Sequence, residues 1–453
     1  MQIMEKEIEF ALKEIQNVLD VWVPMKIKYD LTPGVVVCIA YKGKSLYLKA
    51  FGSRDIEGNS KLSADALFRV ASMSKIFTTV AIMQLQERGE LRLDDRVSDY
   101  LPWFKGKNKT SDLKNVTIRQ MLSHASGIFR DGEGPHWETD KFPKSLKKTI
   151  SDKAIIIENL SGFKYSNHAF AILGEIIKKV SKFSYEEYVT KNIINPLVLK
   201  NTFPDLSDDI PTKLIAGYER FIPDKKDRIA FPHVKTYAYA PATGFISNAR
   251  DMALFLSSLS LDTKKSVVNR ESKKAMMQSH GKPACDDEYG LGLDIFEIKG
   301  RTIVGHSGGF AGFITNAITS VVDNIQVVVL TNTHSSTARS VSRGVMEMLY
   351  KVADNSHHYQ KGKKLPHTYD GVYRNRWGDT VIVKIGNKLV GFSPQVNNPI
   401  SCWSILEQKK VHEFENTDKV GFGSPKEMVR FSEIKNKKSQ KMLWGSTPSK
   451  RVQ

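Results

Sequence analysis

Two sets of predicted β-strands lie far apart in the chain, and this arrangement restricts the fold more than any other feature of the sequence. Near the start, the apolar run Val35–Tyr41 is joined by the turn Lys42-Gly43-Lys44 to the run Ser45–Phe51, as in a β-hairpin. The later strand patterns are Leu291–Ile295, Arg301–Val304, Phe313–Val321 and Ile325–Leu330. Because strands bury their apolar faces well in a shared sheet, we predict an α/β fold with an antiparallel sheet built from both chain ends.

Helical patterns begin the chain and occupy the region between the two sets of strands. The predicted helices are Glu5–Val23, Ala71–Glu87, Asn167–Val180, one that starts after Asn248 as N-cap, and Thr337–Val352. Apolar residues recur at helical spacing in them, and Gly89 is placed to end the helix Ala71–Glu87. The sequence thus predicts helices that flank the sheet and a mainly helical region inserted between its two halves.

The last part of the chain has a different pattern of short alternating runs separated by turn residues. These runs are Asp370–Tyr373, Thr380–Ile385, Lys388–Phe392, Lys410–Phe414 and Met428–Phe431. They are typical of a small antiparallel β domain, either a barrel or a sandwich. We therefore predict an N-terminal helix at 1–30, a main domain at 31–354, a linker at 355–367 and an all-β domain at 368–453.

Composition and charge exclude several classes of protein. The formal net charge is +18, but the lysines are spread along the chain without the aromatic interleaving of a nucleic-acid-binding surface, so we predict no nucleic-acid partner. The first twenty residues lack the apolar core of a signal peptide, and no apolar run reaches the ~20 residues that a membrane span needs. These features predict a cytoplasmic protein without a membrane span.

Cysteine and histidine usage gives no sign of a disulfide framework or a metal site. The three cysteines are Cys38, Cys285 and Cys402, an odd number at wide spacing. Cys38 lies in an apolar run, where a buried and inert thiol is expected. His357-His358 has no partners at metal-ligand spacing, so we predict neither zinc nor any other cofactor.

Two serines compete for the role of nucleophile. Ser72 and Lys75 stand three residues apart on a predicted helix, so their side chains share one face. Lysine has an ordinary pKa of about 10.4, but a helix N-terminus and apolar surroundings should lower it and make the amine a usable base. Ser307 lies in Gly305-His306-Ser307-Gly308-Gly309, which matches the nucleophile elbow G-x-S-x-G. That motif needs a helix after the serine, whereas a β-hairpin is predicted there, so Ser72 is preferred.

Three short motifs support this preference when they are taken together. The set Ser72-x-x-Lys75, Tyr165-Ser166-Asn167 and His306-Ser307-Gly308 resembles the active-site motifs of class C β-lactamases, penicillin-binding DD-peptidases and related esterases, in the same order. Further matches are Leu31–Gly34, Met121–Gly127, Ala242–Ser247 and Tyr289–Gly292. The resemblance covers roughly Leu31 to Val352 and implies a β-lactamase-like fold for the main domain. The C-terminal domain resembles the barrel or lipocalin-like appendage of some members.

The resemblance implies a role for each motif residue. Ser72 would attack a carbonyl and form an acyl-enzyme, with Lys75 as the base. Tyr165 would shuttle the proton to the leaving group and activate the deacylating water, which requires a phenol pKa lowered by nearby cations such as Lys75. Asn167 would bond the substrate carbonyl or hold Lys75, unless it only caps its helix.

The glycine-rich motif would form the opposite wall of this site. The backbone N–H groups of Ser72 and Gly309 would make the oxyanion hole, and Gly308 would let the substrate approach the strand closely. His306 replaces the lysine of many family members. It could orient Tyr165 or, when protonated, bind a substrate carboxylate. Because a histidine is only partly charged at neutral pH, this position favours strong carboxylate binding less than a lysine does. The loop Phe129–Phe142 is a lid, a substrate wall or a mere surface excursion.

These features predict a serine hydrolase acting through an acyl-enzyme on small esters or amides, as an esterase or a D-amino-acid-type peptidase. A β-lactamase or DD-carboxypeptidase is the alternative within this class. A catalytically silent binding or assembly scaffold is the alternative from another class, although it would not need Ser72, Lys75, Tyr165 and Asn167 together. The expected partner is a small molecule or short peptide, and a homo-oligomer remains open.

Overall fold

The computed structural model describes residues 5–453 except 59, 105–112, 133, 135, 147–161, 211–212, 226, 284–286 and 418–424, so Cys285 and part of the loop Phe129–Phe142 lie outside it. The chain divides into two compact units. One unit is Pro33–Ala338, and the other combines Met1–Thr32 with Arg339–Gln453. This division places the N-terminal helix in the same unit as the C-terminal strands, whereas the sequence suggests a separate segment. The domain boundaries as such stay a prediction.

A seven-stranded antiparallel sheet organises the unit Pro33–Ala338. In spatial order its strands, numbered along the chain, are β2 (Lys44–Gly52), β1 (Gly34–Tyr41), β11 (Ile325–Thr331), β10 (Phe313–Ser320), β9 (Arg301–Phe310), β8 (Asp294–Ile298) and β7 (Glu288–Tyr289). Strand β1 pairs with β11 and places Cys38 opposite Val328, so early and late strands meet within one sheet. Every side chain of both strands is buried, as their continuous apolar sequences require. The predicted sheet from both chain ends is confirmed.

Two small sheets and a set of helices complete this unit. The small sheets pair β3 (Phe68–Arg69) with β6 (Ile246–Ser247) and β4 (Gly217–Tyr218) with β5 (Ala230–Phe231). The helices are α2 (Ser74–Glu87), α3 (Val97–Tyr100), α4 (Ile118–Leu122), α5 (His136–Thr139), α6 (Asn167–Ser181), α7 (Tyr185–Val189), α8 (Asn195–Leu197), α9 (Ala249–Ser257) and α10 (Arg270–Met276). As predicted, the Asn248 side chain caps α9 by accepting a hydrogen bond from the Asp251 N–H.

Helix α2 is the central helix of the core. Its side chains from Ser74 to Leu85 are all buried, and the Phe77 ring stacks on Phe245 and Phe255 at centroid distances of 4.2 and 3.7 Å. Burial on all sides fixes the helix more firmly than an amphipathic surface helix would be fixed. The first turn of α2 therefore offers a rigid platform for functional side chains.

The second unit is built around an eight-stranded closed barrel, which decides between the two predicted forms of the C-terminal domain. Its strands are β12 (Gly371–Asn375), β13 (Gly378–Ile385), β14 (Lys388–Phe392), β15 (Ser404–Lys410), β16 (Glu413–Asn416), β17 (Met428–Lys435), β18 (Lys438–Trp444) and β19 (Thr447–Arg451). Aromatic and aliphatic side chains, including Tyr373, Leu389 and Phe431, fill its interior. Each of these described strands has a neighbour on both sides, so the closed barrel avoids the unpaired edges of an open sheet.

The helices in the described part of this unit are α1 (Glu5–Tyr29), α11 (Thr337–Asp354) and α12 (Ser356–Gln360). Helix α1 runs beyond the predicted end at Val23 and through Pro24, because the residues that follow are anchored in this unit. Lys26 is 2% exposed and donates to Asp30 and Asn397 at 2.8 and 3.0 Å. Helix α12 falls within the predicted linker at 355–367.

Among the described residues, no helix has the length and apolar character to cross a membrane. Within the same residues, His, Cys, Asp and Glu side chains do not gather in groups of three or more that could hold a metal ion. Cys38 and Cys402 are free and buried. Burial raises the pKa of the Cys38 thiol to about 11, so the thiol stays protonated and inert, as predicted.

Candidate active site

Ser72 lies in a short turn of 3₁₀-helix, Ala71–Met73, that leads directly into α2. Ala71 has a φ of 51°, a left-handed conformation that is uncommon outside glycine. The Ser74 side chain holds the turn, because its hydroxyl donates to the Ala71 carbonyl at 2.5 Å and accepts from the Phe245 N–H at 3.0 Å. Backbone strain of this kind is often found at functional sites, where the surroundings maintain it.

Lys75 meets Ser72 on one face of this turn, as the three-residue spacing predicts. Its Nζ lies 3.1 Å from Ser72 Oγ, 2.7 Å from Asn167 Oδ1 and 2.9 Å from the Ala242 carbonyl oxygen. A neutral amine has two N–H donors and one lone pair. If the donors serve Asn167 and Ala242, the lone pair is left for the Ser72 hydroxyl proton. The geometry therefore suits a base.

The electrostatic environment of Lys75 favours the same neutral form. The side chain is fully buried, and this burial lowers the pKa of the amine well below its ordinary value. The Asp131 carboxylate acts in the opposite direction, and the Arg130 guanidinium adds to the lowering. The predicted direction of the shift is confirmed.

Tyr165 contacts the same serine oxygen as Lys75. Its phenol donates to Ser72 Oγ at 2.8 Å, and its ring centroid lies 4.8 Å from Lys75 Nζ and 5.2 Å from the Arg130 guanidinium carbon. The expectation of a lowered phenol pKa is wrong. Burial raises the pKa of Tyr165 and outweighs the opposing effects of the Ser72 hydrogen bond and Arg130. Tyr165 is therefore a neutral phenol near pH 7, suited to donate a proton rather than to accept one.

Asn167 links this group to a carboxylate that the sequence reasoning did not single out. The alternative that Asn167 only caps its helix is wrong, because Ser166 is the N-cap of α6 and accepts from the Ala169 N–H. Asn167 instead accepts from Lys75 and donates through Nδ2 to Asp131 Oδ1 at 2.6 Å. Asp131 lies in a loop without regular spacing, so only the fold reveals this contact.

His124 packs against Tyr165 from within the core. Its ring centroid lies 4.3 Å from that of Tyr165, and its Nδ1 accepts from the Ser166 N–H at 3.1 Å. Burial lowers the pKa of His124 well below its ordinary value, so the ring is neutral. His124 thus fixes the position of Tyr165 through packing.

Strand β9 provides the opposite wall and contains Ser307 in mid-strand. This location excludes the strand–turn–helix context of a nucleophile elbow. Gly308 lies where a Cβ atom would come within 2.2 Å of the Val70 carbonyl oxygen, so a larger residue would push the strand away from the Ser72 turn. Strand β8 pairs with β9 only as far as Gly305. The edge of β9 from His306 onward is therefore not paired with β8.

His306 is buried beside Tyr165, with ring centroids 6.3 Å apart. Its Nδ1 contacts the Ser307 carbonyl at 2.5 Å, and its Nε2 lies 3.2 Å from the Tyr289 hydroxyl. Burial lowers the pKa of His306, with the Asp294 carboxylate acting in the opposite direction. A neutral ring with both nitrogens engaged offers no fixed charge to a substrate carboxylate.

A serine contacted by a lysine and a tyrosine lies beside a sheet built from both chain ends. This fold is of the β-lactamase-like and penicillin-binding-protein-like class. The sequence comparison agrees with this class. The chain belongs to the Beta-lactamase family, whose sequence profile matches residues 27–346.

Individual relatives are distant in sequence. Protein flp of Staphylococcus aureus (strain MW2) is 28% identical over 316 residues, which are 68% of this chain and 62% of flp. The chain thus spans less than two thirds of that relative's length.

Solved structures share the fold at low sequence identity. The octameric penicillin-binding protein homologue from Pyrococcus abyssi has a TM-score of 0.63 and 23% identity, covering 96% of this chain and 99% of its own. The D-amino acid amidase from Ochrobactrum anthropi SV3, complexed with L-phenylalanine, has a TM-score of 0.62 and 18% identity, covering 74% of this chain and 99% of its own. The first shares the fold over nearly the whole chain, and the second shares it over about three quarters of the chain.

Proposed function

We propose that this protein hydrolyses small esters or amides through an acyl-enzyme on Ser72, as an esterase or a D-amino-acid-type peptidase. The observation that carries the proposal is the pair of contacts on one oxygen. Lys75 Nζ and Tyr165 OH lie 3.1 and 2.8 Å from Ser72 Oγ. A buried neutral amine and a neutral phenol on the same hydroxyl supply a base and an acid for acyl transfer.

The proposed acylation begins when Ser72 Oγ attacks the substrate carbonyl carbon and its proton passes to Lys75. The N–H groups of Ser72 and Gly309 stabilise the resulting oxyanion, where one such donor contributes about 3–4 kcal/mol. Collapse of the intermediate breaks the bond to the leaving group, which takes a proton from Tyr165. Lys75 returns its proton to Tyr165. Water then attacks the acyl-enzyme and gives a proton to Lys75. The intermediate breaks the bond to Ser72 Oγ, which takes that proton from Lys75, and the carboxylic acid is released.

The state of His306 favours esters and amides over carboxylate-bearing β-lactams or peptidoglycan stems. A neutral, fully engaged imidazole replaces the fixed positive charge of a lysine at this position. The relatives include a penicillin-binding protein homologue and a D-amino acid amidase, which support an acyl-transfer site without selecting a substrate. The Pyrococcus homologue is described as octameric, so homo-oligomerisation is a proposal for this chain as well.

A substrate panel tests the proposal. The purified chain is given p-nitrophenyl acetate, D- and L-aminoacyl amides and the β-lactam nitrocefin, and kcat/KM is measured for each. We expect ester and amide turnover, with nitrocefin hydrolysed at least tenfold less efficiently. Preferential hydrolysis of nitrocefin would establish the β-lactamase alternative instead. Absence of turnover with every substrate, together with absence of labelling by a fluorophosphonate, would favour the silent scaffold.

Replacing Tyr165 with phenylalanine should affect amides more than activated esters. An amide leaving group must be protonated, whereas p-nitrophenolate departs as an anion. General acid catalysis contributes roughly 10²- to 10⁴-fold, so we expect about a 100-fold loss in kcat/KM for an amide and less than tenfold for acylation by p-nitrophenyl acetate.

The matched control for this substitution is Tyr185→Phe. Tyr185 is a buried tyrosine whose hydroxyl bonds Thr78 at 2.7 Å rather than Ser72. This variant should keep the amide-to-ester ratio of the parent. Equal losses on both substrates in Tyr165→Phe would contradict a role as proton donor.

A further inference from the structure

Three aromatic side chains, Trp137, Phe142 and Phe310, form a cluster that we call the aromatic face. The Trp137 ring lies edge-on to Phe142 and Phe310 at centroid distances of 5.0 and 5.6 Å. Phe142 and Phe310 are 6% and 3% exposed, whereas Trp137 is 38% exposed. The cluster therefore has two buried members and one large ring that is open to solvent.

The aromatic face adjoins the proposed oxyanion hole. Phe310 directly follows Gly309 and ends strand β9. Two residues earlier, Gly308 lies against the Val70 carbonyl, next to the turn that carries Ser72. The guanidinium carbon of Arg69 lies 4.9 Å from the centre of the Phe310 ring. Both chain segments that frame Ser72 thus lead to this cluster.

The direction of β9 shows which end of a substrate would meet the aromatic face. His306 lies beside Tyr165, at a centroid distance of 6.3 Å. Phe310 is four residues further along the strand, about 13 Å at ~3.3 Å per residue. Because the proton donor must face the leaving group, the Tyr165 end of the strand is the leaving-group side. Phe310 and its neighbours lie on the acyl side.

We propose that the aromatic face binds an aromatic or bulky apolar acyl group of the substrate, and that Trp137 is the residue that determines this preference. This inference rests on the proposed function, since it assigns the acyl half of the same site. An aromatic acyl group could stack on Trp137 and shield its exposed surface from water, which is favourable both for buried apolar area and for ring–ring geometry.

The polar side chains next to the cluster, Arg69, His136 and Tyr239, are all buried, which leaves an apolar surface for an occupant. Arg69 is buried and lies 3.5 Å from Asp205, and it also donates to the Gly244 carbonyl at 3.1 Å. Tyr239, which packs against Phe142, bonds His168 at 2.7 Å. The exposed part of the face is therefore the indole ring and not a charged group.

The test compares two esters that differ only in the acyl group, p-nitrophenyl acetate and p-nitrophenyl 3-phenylpropionate. In the parent protein we expect the larger ester to have at least tenfold higher kcat/KM, the order of discrimination that an apolar pocket provides. Trp137→Ala should reduce this ratio of kcat/KM values about tenfold. The reduction should come mainly from a lower kcat/KM for the larger ester, while kcat/KM for the acetate changes by less than threefold. Trp137→Phe, which keeps a ring, should retain a clear preference for the larger ester.

Phe183→Ala is the matched control, because Phe183 is an aromatic residue with 41% exposure that contacts Lys191 and not the aromatic face. It should leave the ratio unchanged. If Trp137→Ala lowers kcat/KM equally for both esters, or if Phe183→Ala changes the ratio of the two values as much, the inference is overturned while the proposed function stands. If the parent protein hydrolyses neither ester, the proposed function fails and this inference fails with it.

Discussion

Ser72→Ala should lower kcat for p-nitrophenyl acetate by about 10⁴-fold or more, because it removes the atom to which the acyl group is transferred. The substitution keeps the turn intact, since Ser74 rather than Ser72 makes the hydrogen bonds that fix it. The thermal unfolding midpoint should therefore remain close to that of the parent. The measurement is single-turnover and steady-state hydrolysis by the parent and the variant.

Ser307→Ala is the control for this prediction, because Ser307 belongs to the rival motif and lies exposed in the middle of strand β9. We expect its kcat to stay within about tenfold of the parent, since an alanine side chain is easily accommodated at an exposed strand position. Full activity in Ser72→Ala combined with loss in Ser307→Ala would reverse the assignment of the nucleophile.

Lys75→Met should lower kcat/KM by about 10³-fold, equivalent to about 4 kcal/mol of transition-state stabilisation at 1.4 kcal/mol per tenfold change. Methionine keeps the length and much of the volume of the lysine side chain but cannot accept the Ser72 proton. It also cannot donate to Asn167 and the Ala242 carbonyl. The measured quantities are kcat/KM for an ester and the unfolding temperature, which separates lost chemistry from lost folding.

The pH dependence of activity provides a second test of Lys75 as the base. Burial lowers the pKa of its amine, and the base must be unprotonated to act. Activity should therefore be at its plateau above this lowered pKa and fall as the pH drops through it. Lys75→Met should lose this acidic limb together with most of its activity.

Lys273→Met is the matched control for Lys75, because Lys273 is also buried, has a pKa lowered by burial, and donates to the Ser260 carbonyl at 2.7 Å. It should keep both the rate and the pH profile of the parent. An unchanged acidic limb in Lys75→Met would show that another group is the base.

The sheet, the helix next to Ser72 and the glycine-rich strand opposite could be predicted from the sequence, because each depends on a local pattern of residues. Apolar runs predicted β1 and β11. The predicted β-hairpin after Ser307 was enough to reject this serine as the nucleophile of an elbow motif, which needs a helix there. The left-handed Ala71 could not be anticipated, since alanine has no preference for that conformation. Tertiary contacts, and not residue type, impose it.

The electrostatics of the site depended on burial, which short motifs do not reveal. The direction of the Lys75 pKa shift was predicted correctly, because apolar neighbours on the same helix already indicate burial. The direction of the Tyr165 pKa shift was predicted wrongly, since residues distant in sequence, such as His124, bury this side chain. Asp131 was missed for the same reason, because a loop brings it to Asn167. The correction keeps Tyr165 as the proton donor to the leaving group and assigns activation of the deacylating water to Lys75 in the proposed mechanism.

The nucleophile can be located directly by covalent labelling. The protein is incubated with a fluorophosphonate, which phosphonylates an activated serine with loss of fluoride, and the labelled peptide is sequenced by mass spectrometry. We predict one adduct per chain, on Ser72, and no adduct in Ser72→Ala. An adduct on Ser307, or ester turnover that continues while Ser72 remains unmodified at full labelling, would contradict the assignment of Ser72 as the acylated residue.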